Sequence, residues 1–267
     1  NVHHDSWIWL SAWDGNTQSE EYIKFCAIWT QFAAYFKDYG EKLCFETINE
    51  PQFNDNEGEN ALTADDKLDI INKAAYDIIR SSGGNNDTRM IVLPTYNTNH
   101  EKDVQLYNLI TNDLKVQDEQ GNTIQDPNVI ATIHYYSEWV FSANLGITGF
   151  DEKLWDDDQY EFDYTARTAL NIAFDRIYNQ FTANGIGVVI GEYGILPADS
   201  ALQCMQVGEE IKYYEYINTY ARNKGITLMF WDNGDWLSRE DNGQTWKNPT
   251  IGEAITASIK EDSSYAT

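Results

Sequence analysis

The sequence predicts an α/β fold, in which the strands of a parallel sheet alternate with helices. Short apolar runs typical of buried strands recur along the 267 residues, and an amphipathic stretch with helical spacing follows each of them. Two of these runs end in a glutamate, at Glu50 and at Glu192. Functional side chains at strand ends are typical of a (β/α)8 TIM barrel more than of an open sheet.

The pattern predicts five complete βα units, preceded by the end of another strand at His3 and His4. A (β/α)8 barrel needs about eight units, so about the first two and a half are expected to be missing from this chain. Residues 1–267 are predicted to be a single barrel domain. The predicted strands are 43–48, 89–94, 129–135, 187–192 and 226–231. The predicted helices are 20–39, 63–82, 100–114, 165–183, 205–223 and 250–260. A hairpin-like excursion is predicted at 117–127 and a long functional loop at 137–163.

The charge balance limits the possible partners. With 18 basic and 43 acidic residues, the formal net charge is −25. Such a chain has no basic patch to neutralise phosphates, which argues against nucleic acid and anionic membranes as partners. No run of 18 apolar residues predicts a membrane span. An uncharged polysaccharide is a compatible partner, and the nine Trp and seventeen Tyr supply flat faces on which sugar rings stack.

Cysteine and histidine patterns indicate neither disulfides nor a metal. The three cysteines, Cys26, Cys44 and Cys204, are odd in number and scattered, which favours buried thiols. His3 and His4 precede an aspartate, but adjacent strand residues point to opposite faces, and no third ligand follows at a metal spacing. We therefore predict no metal and no cofactor.

The two strand-end glutamates are the strongest candidates for catalysis. Glu50 ends the run LCFETINEP, where Pro51 stops the strand, and Glu192 lies between two glycines in GVVIGEYG. A carboxylate at the end of a buried strand is costly unless it has a partner or a role. Two glutamates that flank one bond are what glycoside hydrolysis requires. For Asn49-Glu50-Pro51 alone, a polar turn that ends the strand is the simpler interpretation.

Five segments, in chain order and each at a predicted strand end, resemble glycoside hydrolase family 5, the cellulase-type (β/α)8 barrels. They are NVHHD, FETINEP, IHYY, VVIGEYG and MFWDNG. The resemblance covers nearly the whole chain. It implies a retaining endo-β-1,4-glucanase that hydrolyses internal bonds of cellulose-like β-glucans. Xyloglucan, mixed-linkage glucan and mannan stay open as substrates.

The resemblance also implies a role for each matching residue. Glu50 matches the acid/base and Glu192 the nucleophile of a double displacement, in which the two carboxyl groups lie about 5 Å apart. The first must be protonated while the second is ionised. Substrate binding is implied for Asn49 at the sugar 2-hydroxyl, His134 and Tyr136 around the nucleophile, His3 and nearby His4 at the cleaved sugar, and Trp231 under that sugar. For His4 an ordinary surface histidine stays an alternative.

One expectation rests on the aromatic composition and not on the resemblance. Among the loop tryptophans we predict Trp139 to be a further sugar platform.

The chain departs from the family pattern in one respect. The family also uses an arginine from an early strand, which would lie before Asn1. The alternatives are therefore an N-terminal fragment or a second chain that completes the barrel, self-association through the open strand edges, or an inactive barrel that only binds glucan. The polymeric substrate leads us to expect a secreted or cell-surface location.

Overall fold

The computed structural model describes residues 1–4, 6–54, 56, 61–143, 149–155, 161–197, 207–238, 240 and 244–262. They divide into two compact units. The first unit comprises Asn1–Ile133 and Ala183–Val188, and the second comprises His134–Thr182 and Val189–Thr267. In the described part of the chain, no helix combines the length and the apolar character that crossing a membrane requires.

Helices and strands alternate as the sequence predicts. In chain order the described strands are β1 (Phe45–Glu46), β2 (Ile91–Pro94), β3 (Lys115–Gln117), β4 (Thr123–Gln125), β5 (Val129–Tyr135), β6 (Lys153–Trp155), β7 (Glu161–Thr165), β8 (Val188–Tyr193) and β9 (Ile226–Phe230). The α-helices are α1 (Ser6–Trp9), α2 (Glu20–Phe36), α3 (Ala64–Ser81), α4 (Asp103–Asn112), α5 (Trp139–Ser142), α6 (Ala166–Gln180), α7 (Val207–Asn223) and α8 (Pro249–Asp262).

One five-stranded sheet has the order β1-β2-β5-β8-β9, which is also the chain order of its strands. The pairs β1–β2 and β2–β5 are parallel, with Phe45 opposite Ile91 and Ile91 opposite Val129. Each of the five strands is followed by one of the helices α3, α4, α6, α7 and α8 before the next strand of this sheet begins. The five predicted βα units are therefore confirmed.

Strand β1 is shorter than predicted because the chain changes its pairing partner. Only Phe45 and Glu46 pair with β2, whereas Ile48 forms an isolated parallel bridge with Val2. The end of a preceding strand, predicted at His3 and His4, is present as this bridge, which lies one residue earlier, at Val2. Helix α2 also ends early, at Phe36, where the Tyr39 N–H bonds the Phe36 carbonyl in a closing turn.

Two antiparallel hairpins lie outside the main sheet. β3 pairs with β4, which confirms the predicted excursion, and β6 pairs with β7. The prediction of one long loop at 137–163 is wrong, because this stretch contains α5, β6 and the start of β7. The sequence EFDYT of β7 alternates apolar and charged residues, and Leu154 on β6 is fully buried. This period-two signal is short and lies within an acidic stretch, so the sequence alone does not indicate the hairpin.

Helix α3 begins with a capping box formed by Thr63 and Asp66. The Asp66 N–H donates to Thr63 Oγ1 (3.1 Å), and the Thr63 N–H donates to Asp66 Oδ2 (2.9 Å). This exchange satisfies two N–H groups that the first helical turn leaves without partners. The hydrogen bonds from Thr63 also lower the pKa of Asp66.

The helices cover the sheet through different kinds of core. In the first unit, α2 buries Phe25, Trp29 and Ala33. In the second unit the core is largely aromatic, with Tyr213 packed 5.7 Å from Phe141 and 5.8 Å from Phe150 between ring centroids. The pair of Tyr213 and Phe150 is edge-on, with an interplanar angle of 87°, and pairs with this geometry add stability beyond their buried area.

The cysteines are free thiols where the structure describes them, but one of them is not buried. Cys26 is half-buried and Cys44 is exposed, which corrects the expectation for Cys44. Cys44 directly precedes Phe45, which is buried, and neighbouring residues of an extended chain point to opposite faces. Cys204 lies outside the described residues.

Burial of an acidic side chain on α3 makes stability depend on pH. Burial raises the pKa of Asp69 from 3.8 to about 6. A hydrogen bond from Gln105 opposes this rise, whereas the negative charges of Asp66, Asp65 and Asp113 add to it. Because the folded-state pKa lies above the unfolded one, this group costs stability as pH rises from about 4 to about 6, and the cost persists above that range.

We expect Asp69→Asn to remove this cost. Since Asp69 is only half-buried, solvent screening reduces the gain, and the variant should be more stable than the parent by about 1 kcal/mol more at pH 7.5 than at pH 4.5. Urea unfolding at the two pH values measures this difference. The matched control is Asp87→Asn, which changes an exposed carboxylate that does not contribute to the raised pKa of Asp69. An equal gain at both pH values would contradict the assignment.

Candidate active site

Strained backbone marks the ends of three strands. Of the described residues other than glycine, four have positive φ: Glu50 (39°), Asn97 (51°), Thr98 (49°) and Ser137 (64°). Each follows the carboxyl end of a strand, namely β1, β2 or β5. A positive φ costs an ordinary residue roughly 1 to 2 kcal/mol, and such strain concentrates at functional sites. The carboxyl ends of these strands are therefore the first place to look for chemistry.

In the first unit, Glu50 and Asn49 lie where β1 leaves the sheet. Glu50 is half-buried, and Asn49 is only 1% exposed. The Asn49 backbone N–H donates to the Val2 carbonyl (2.8 Å), but its side-chain Nδ2 has no hydrogen-bond partner among the described residues. A buried amide without a partner costs about 1 to 3 kcal/mol. A ligand hydroxyl is the kind of group that would satisfy it.

The two N-terminal histidines follow the strand residue that pairs with this segment. Val2 bridges Ile48, so His3 and His4 lie on the chain directly after that bridge. Both are exposed, their ring centroids are 4.2 Å apart, and His3 Nδ1 is 3.1 Å from Asn1 Oδ1. Asn1 also donates from Nδ2 to the Glu46 carboxylate (2.6 Å). That contact agrees with a structural role for Glu46.

In the second unit, two side chains contact Glu192 on β8. One of them lies on β5, and the other belongs to the residue directly after β5. The Tyr136 hydroxyl donates to Glu192 Oε2 (2.5 Å), and His134 Nδ1 lies 3.5 Å from the same oxygen. The side chains of His134 and Glu192 are 5% and 15% exposed. A hydroxyl bonded to a carboxylate is among the stronger hydrogen bonds in proteins, so Tyr136 fixes the direction of this carboxylate.

An exposed indole lies next to this group. Trp231 follows β9, and its backbone N–H donates to the Tyr193 carbonyl (3.1 Å). The residue is 42% exposed. The ring of Tyr136 meets it edge-on, with 6.2 Å between centroids and an interplanar angle of 85°. Trp231 therefore presents a free face close to the hydroxyl that holds Glu192. A face of this kind can stack on an apolar ring surface.

Trp231 and Trp139 line one cavity of about 160 Å³ in the second unit. Trp139 is 70% exposed. Most of the lining is apolar, and its polar groups sit at a few positions, as in small-molecule sites generally. The other lining residues are Tyr136, Ser142, Ala143, Gly194, Ile195, Leu196, Pro197, Asn233, Asp235 and Trp236.

Reasoning from the sequence missed this wall of the cavity. The Leu196 N–H donates to the Ser142 carbonyl (2.7 Å), which joins the segment after β8 to α5. Leu196 remains 43% exposed. The sequence offers a weak signal, since the apolar residues Ile195 to Pro197 continue past the glycine that ends GEYG. A second signal is Asp232, which accepts from the Gly234 and Trp236 N–H groups, as an Asp before Asn-Gly does in a turn.

The predicted residues thus fall into two groups. Glu50, Asn49, His3 and His4 belong to the first unit, whereas His134, Tyr136, Trp139, Glu192 and Trp231 belong to the second. Their catalytic and binding roles remain predictions, as does the expected absence of a metal or cofactor.

Comparison with known proteins identifies a family for most of this chain. The family model for cellulases (glycosyl hydrolase family 5) matches residues 1–236. Endoglucanase B of Paenibacillus lautus is 36% identical, and the alignment covers all of this chain and 43% of the relative. Endoglucanase B of Clostridium cellulovorans is 33% identical, and the alignment covers 96% of this chain and 54% of the relative. The structure of the full-length tri-modular endo-β-1,4-glucanase B from Bacillus halodurans has a TM-score of 0.78 and 36% identity, and it covers 97% of this chain and 44% of that one.

This chain spans about half the length of these relatives. The family match nevertheless includes the segments that carry Glu50, Glu192 and Trp231. Relatives above 30% identity align over nearly the whole chain, and the TM-score of the Bacillus halodurans enzyme shows that the two chains share a fold. On this basis the chain belongs to glycosyl hydrolase family 5, the cellulase family.

Proposed function

We propose that this chain is the catalytic part of a retaining endo-β-1,4-glucanase that hydrolyses internal bonds of cellulose-like β-glucans. The observation that carries the proposal is the Glu192 carboxylate, which Tyr136 holds at the end of β8 beside the exposed face of Trp231. The names of the relatives, endoglucanase B and endo-β-1,4-glucanase, support the substrate class.

In the first step of the proposed mechanism, the Glu192 carboxylate attacks the anomeric carbon of the bound sugar. Glu50, as a carboxylic acid, donates its proton to the glycosidic oxygen, and the bond between that oxygen and the anomeric carbon breaks. The sugar remains bound to Glu192 as an ester. This step requires the two carboxyl groups to lie about 5 Å apart when substrate is bound.

In the second step, Glu50 acts as a base. Its carboxylate takes a proton from a water molecule, whose oxygen attacks the anomeric carbon and releases the Glu192 carboxylate. Two displacements at one carbon return its original configuration, so the product keeps the β anomer. The hydrogen bond from Tyr136 orients Glu192 for both displacements.

Substrate binding follows from the neighbouring groups. Trp231 stacks under the cleaved sugar, and the unpartnered amide of Asn49 bonds the 2-hydroxyl, a contact that strengthens in the transition state. His134 supports Glu192, and Trp139 is a further platform on the same cavity as Trp231. His3 and His4 contribute at the cleaved sugar.

Xyloglucan, mixed-linkage glucan and mannan are the alternative substrates within the same mechanism. A panel of these polymers beside carboxymethylcellulose separates them by kcat/KM. A glucan-binding barrel without activity is the alternative of another class, and measurable turnover by this chain excludes it.

We also propose action outside the cell or at its surface, since a polymer of this size is degraded there. Self-association, or completion of the barrel by a further segment, would cover the edge strand β9.

The assignment of the two glutamates predicts different defects for two variants. Glu192→Gln should lose more than about 10³-fold in kcat on every substrate, because no covalent sugar forms. Glu50→Gln should lose as much on β-glucan, yet it should still form the covalent sugar from a dinitrophenyl glycoside, whose leaving group needs no proton. Added azide should then release a β-glycosyl azide. Reducing-sugar assays and mass spectrometry of the protein measure these outcomes.

The control for both variants is Glu119→Gln, which changes an exposed glutamate at the turn between β3 and β4. It should keep parental activity. Parental activity of Glu50→Gln or Glu192→Gln on soluble glucan would overturn the proposed mechanism.

The hydrogen bond from Tyr136 to Glu192 also makes a prediction. Tyr136→Phe removes a donor to a carboxylate, a bond worth about 1.5 to 3 kcal/mol, so kcat on β-glucan should fall about 10- to 100-fold. The matched control is Tyr164→Phe, because Tyr164 also donates to a carboxylate, that of Glu138 (3.2 Å), but not to Glu192. Equal losses in the two variants would mean that the phenol acts only through stability.

A further inference from the structure

The hydrogen-bond ladder between β1 and β2 breaks off one residue before Glu50. The Phe45 N–H bonds the Met90 carbonyl (3.0 Å), and the Thr47 N–H bonds the Val92 carbonyl (3.1 Å). In a parallel ladder these bonds recur every second residue, so the next would join the Asn49 N–H to the Pro94 carbonyl. Instead, the Asn49 N–H bonds the Val2 carbonyl (2.8 Å). The chain therefore changes partner between Thr47 and Asn49.

A side chain from α3 occupies the position that the backbone leaves. Asn72 Nδ2 donates to the Pro94 carbonyl (3.3 Å), and Asn72 Oδ1 accepts from the Thr47 hydroxyl (2.6 Å). Asn72 and Thr47 are both 0% exposed. One buried amide thus bridges β1 and β2 at the level where their ladder would have continued. It also satisfies a carbonyl that would otherwise be buried without a donor.

Thr47 is held at three points as a result. Its backbone N–H donates to the Val92 carbonyl, and its hydroxyl donates to Asn72 Oδ1. Its carbonyl accepts from the Trp29 indole N–H (3.1 Å). Three residues further on, Glu50 has a φ of 39°. A residue in this region of backbone conformation keeps it only when the surrounding structure enforces it. Through Trp29 and Asn72, helices α2 and α3 thus hold the buried chain three residues before Glu50.

We propose that Asn72, acting through Thr47, is a positioning residue that directs the Glu50 carboxyl towards the leaving-group oxygen. This inference rests on the proposed function, in which Glu50 is the acid/base. A pair that served stability alone would lower the amount of folded protein and affect all substrates equally. A pair that aims an acid affects most the substrates that need protonation of the leaving group.

Thr47→Val tests this directly, because valine keeps the shape of threonine and removes only the hydroxyl donor. In the whole protein we expect kcat/KM for cellotetraose to fall at least 10-fold, while kcat/KM for a dinitrophenyl β-cellobioside falls less than 2-fold. Both constants report the step that forms the covalent sugar, so their ratio isolates proton donation. Thr47→Ser, which keeps the hydroxyl, should restore the parental ratio. Asn72→Asp, which loses the donor to Pro94, should shift the ratio in the same direction as Thr47→Val.

Thr132→Val is the matched control. Thr132 on β5 is also 0% exposed, but its hydroxyl has no partner among the described residues. This variant should leave the ratio of the two constants unchanged. Thermal unfolding of each variant separates loss of folded protein from loss of alignment.

The outcomes are distinct for the inference and for the proposed function. A Thr47→Val variant that loses activity equally on both substrates, or on neither, overturns the positioning role while the parent remains an active glucanase. A whole protein without activity on either substrate overturns the proposed function, and the inference with it. A shifted ratio for Thr47→Val that Thr47→Ser restores supports the inference.

Discussion

Every backbone polar group that is buried where a strand leaves the sheet must still find a partner, and the loops at these strand ends are built around this constraint. Side chains supply the missing partners. Asn72 serves the carbonyl at the end of β2, and the Tyr214 hydroxyl lies 3.3 Å from the Ile195 N–H after β8. The Tyr96 hydroxyl meets both the N–H (3.3 Å) and the carbonyl (3.1 Å) of Phe53. Within each unit, loops that lack ladder bonds are held by buried or half-buried side chains.

This arrangement suits acid/base chemistry because carboxylates need fixed directions more than they need many contacts. Glu192 lies within a strand and receives its direction from Tyr136. Glu50 lies just beyond a strand in a strained conformation. The two glutamates are thus placed by different elements, Glu192 by a regular strand and a hydrogen bond from a phenol, and Glu50 by a turn with positive φ.

The sequence was sufficient for the features that depend on periodicity and on chain order. The five βα units and the glutamates at the ends of two strands follow from apolar spacing and from the Pro and Gly residues beside them. Tyr136 as the partner of Glu192 followed only from the family resemblance, since 56 residues separate the two side chains. The hairpin of β6 and β7 was missed because its alternating signal is only five residues long in β7.

Other features lay beyond prediction for physical reasons. Asn72 has the spacing of an ordinary inward-facing residue of α3, and nothing local shows that the carbonyl opposite it has lost its ladder partner. The positive φ of Glu50 likewise comes directly after the residue at which the chain changes partner from β2 to Val2. Both depend on contacts between residues far apart in the chain. Such contacts leave no periodic signal in a single sequence.

The identity of sheet order and chain order has a consequence for how this polypeptide acquires its structure. Phe45 pairs with Ile91 and Ile91 with Val129, so each of these two parallel pairings closes a loop of only roughly forty residues. Within the described sheet, every strand pairs with the strands next to it in chain order. During synthesis from the N-terminus, each βα unit finds its neighbour already made. The growing edge of the sheet at any moment is then the most recently added strand, and the next strand covers it, which limits the time that this edge is open to association.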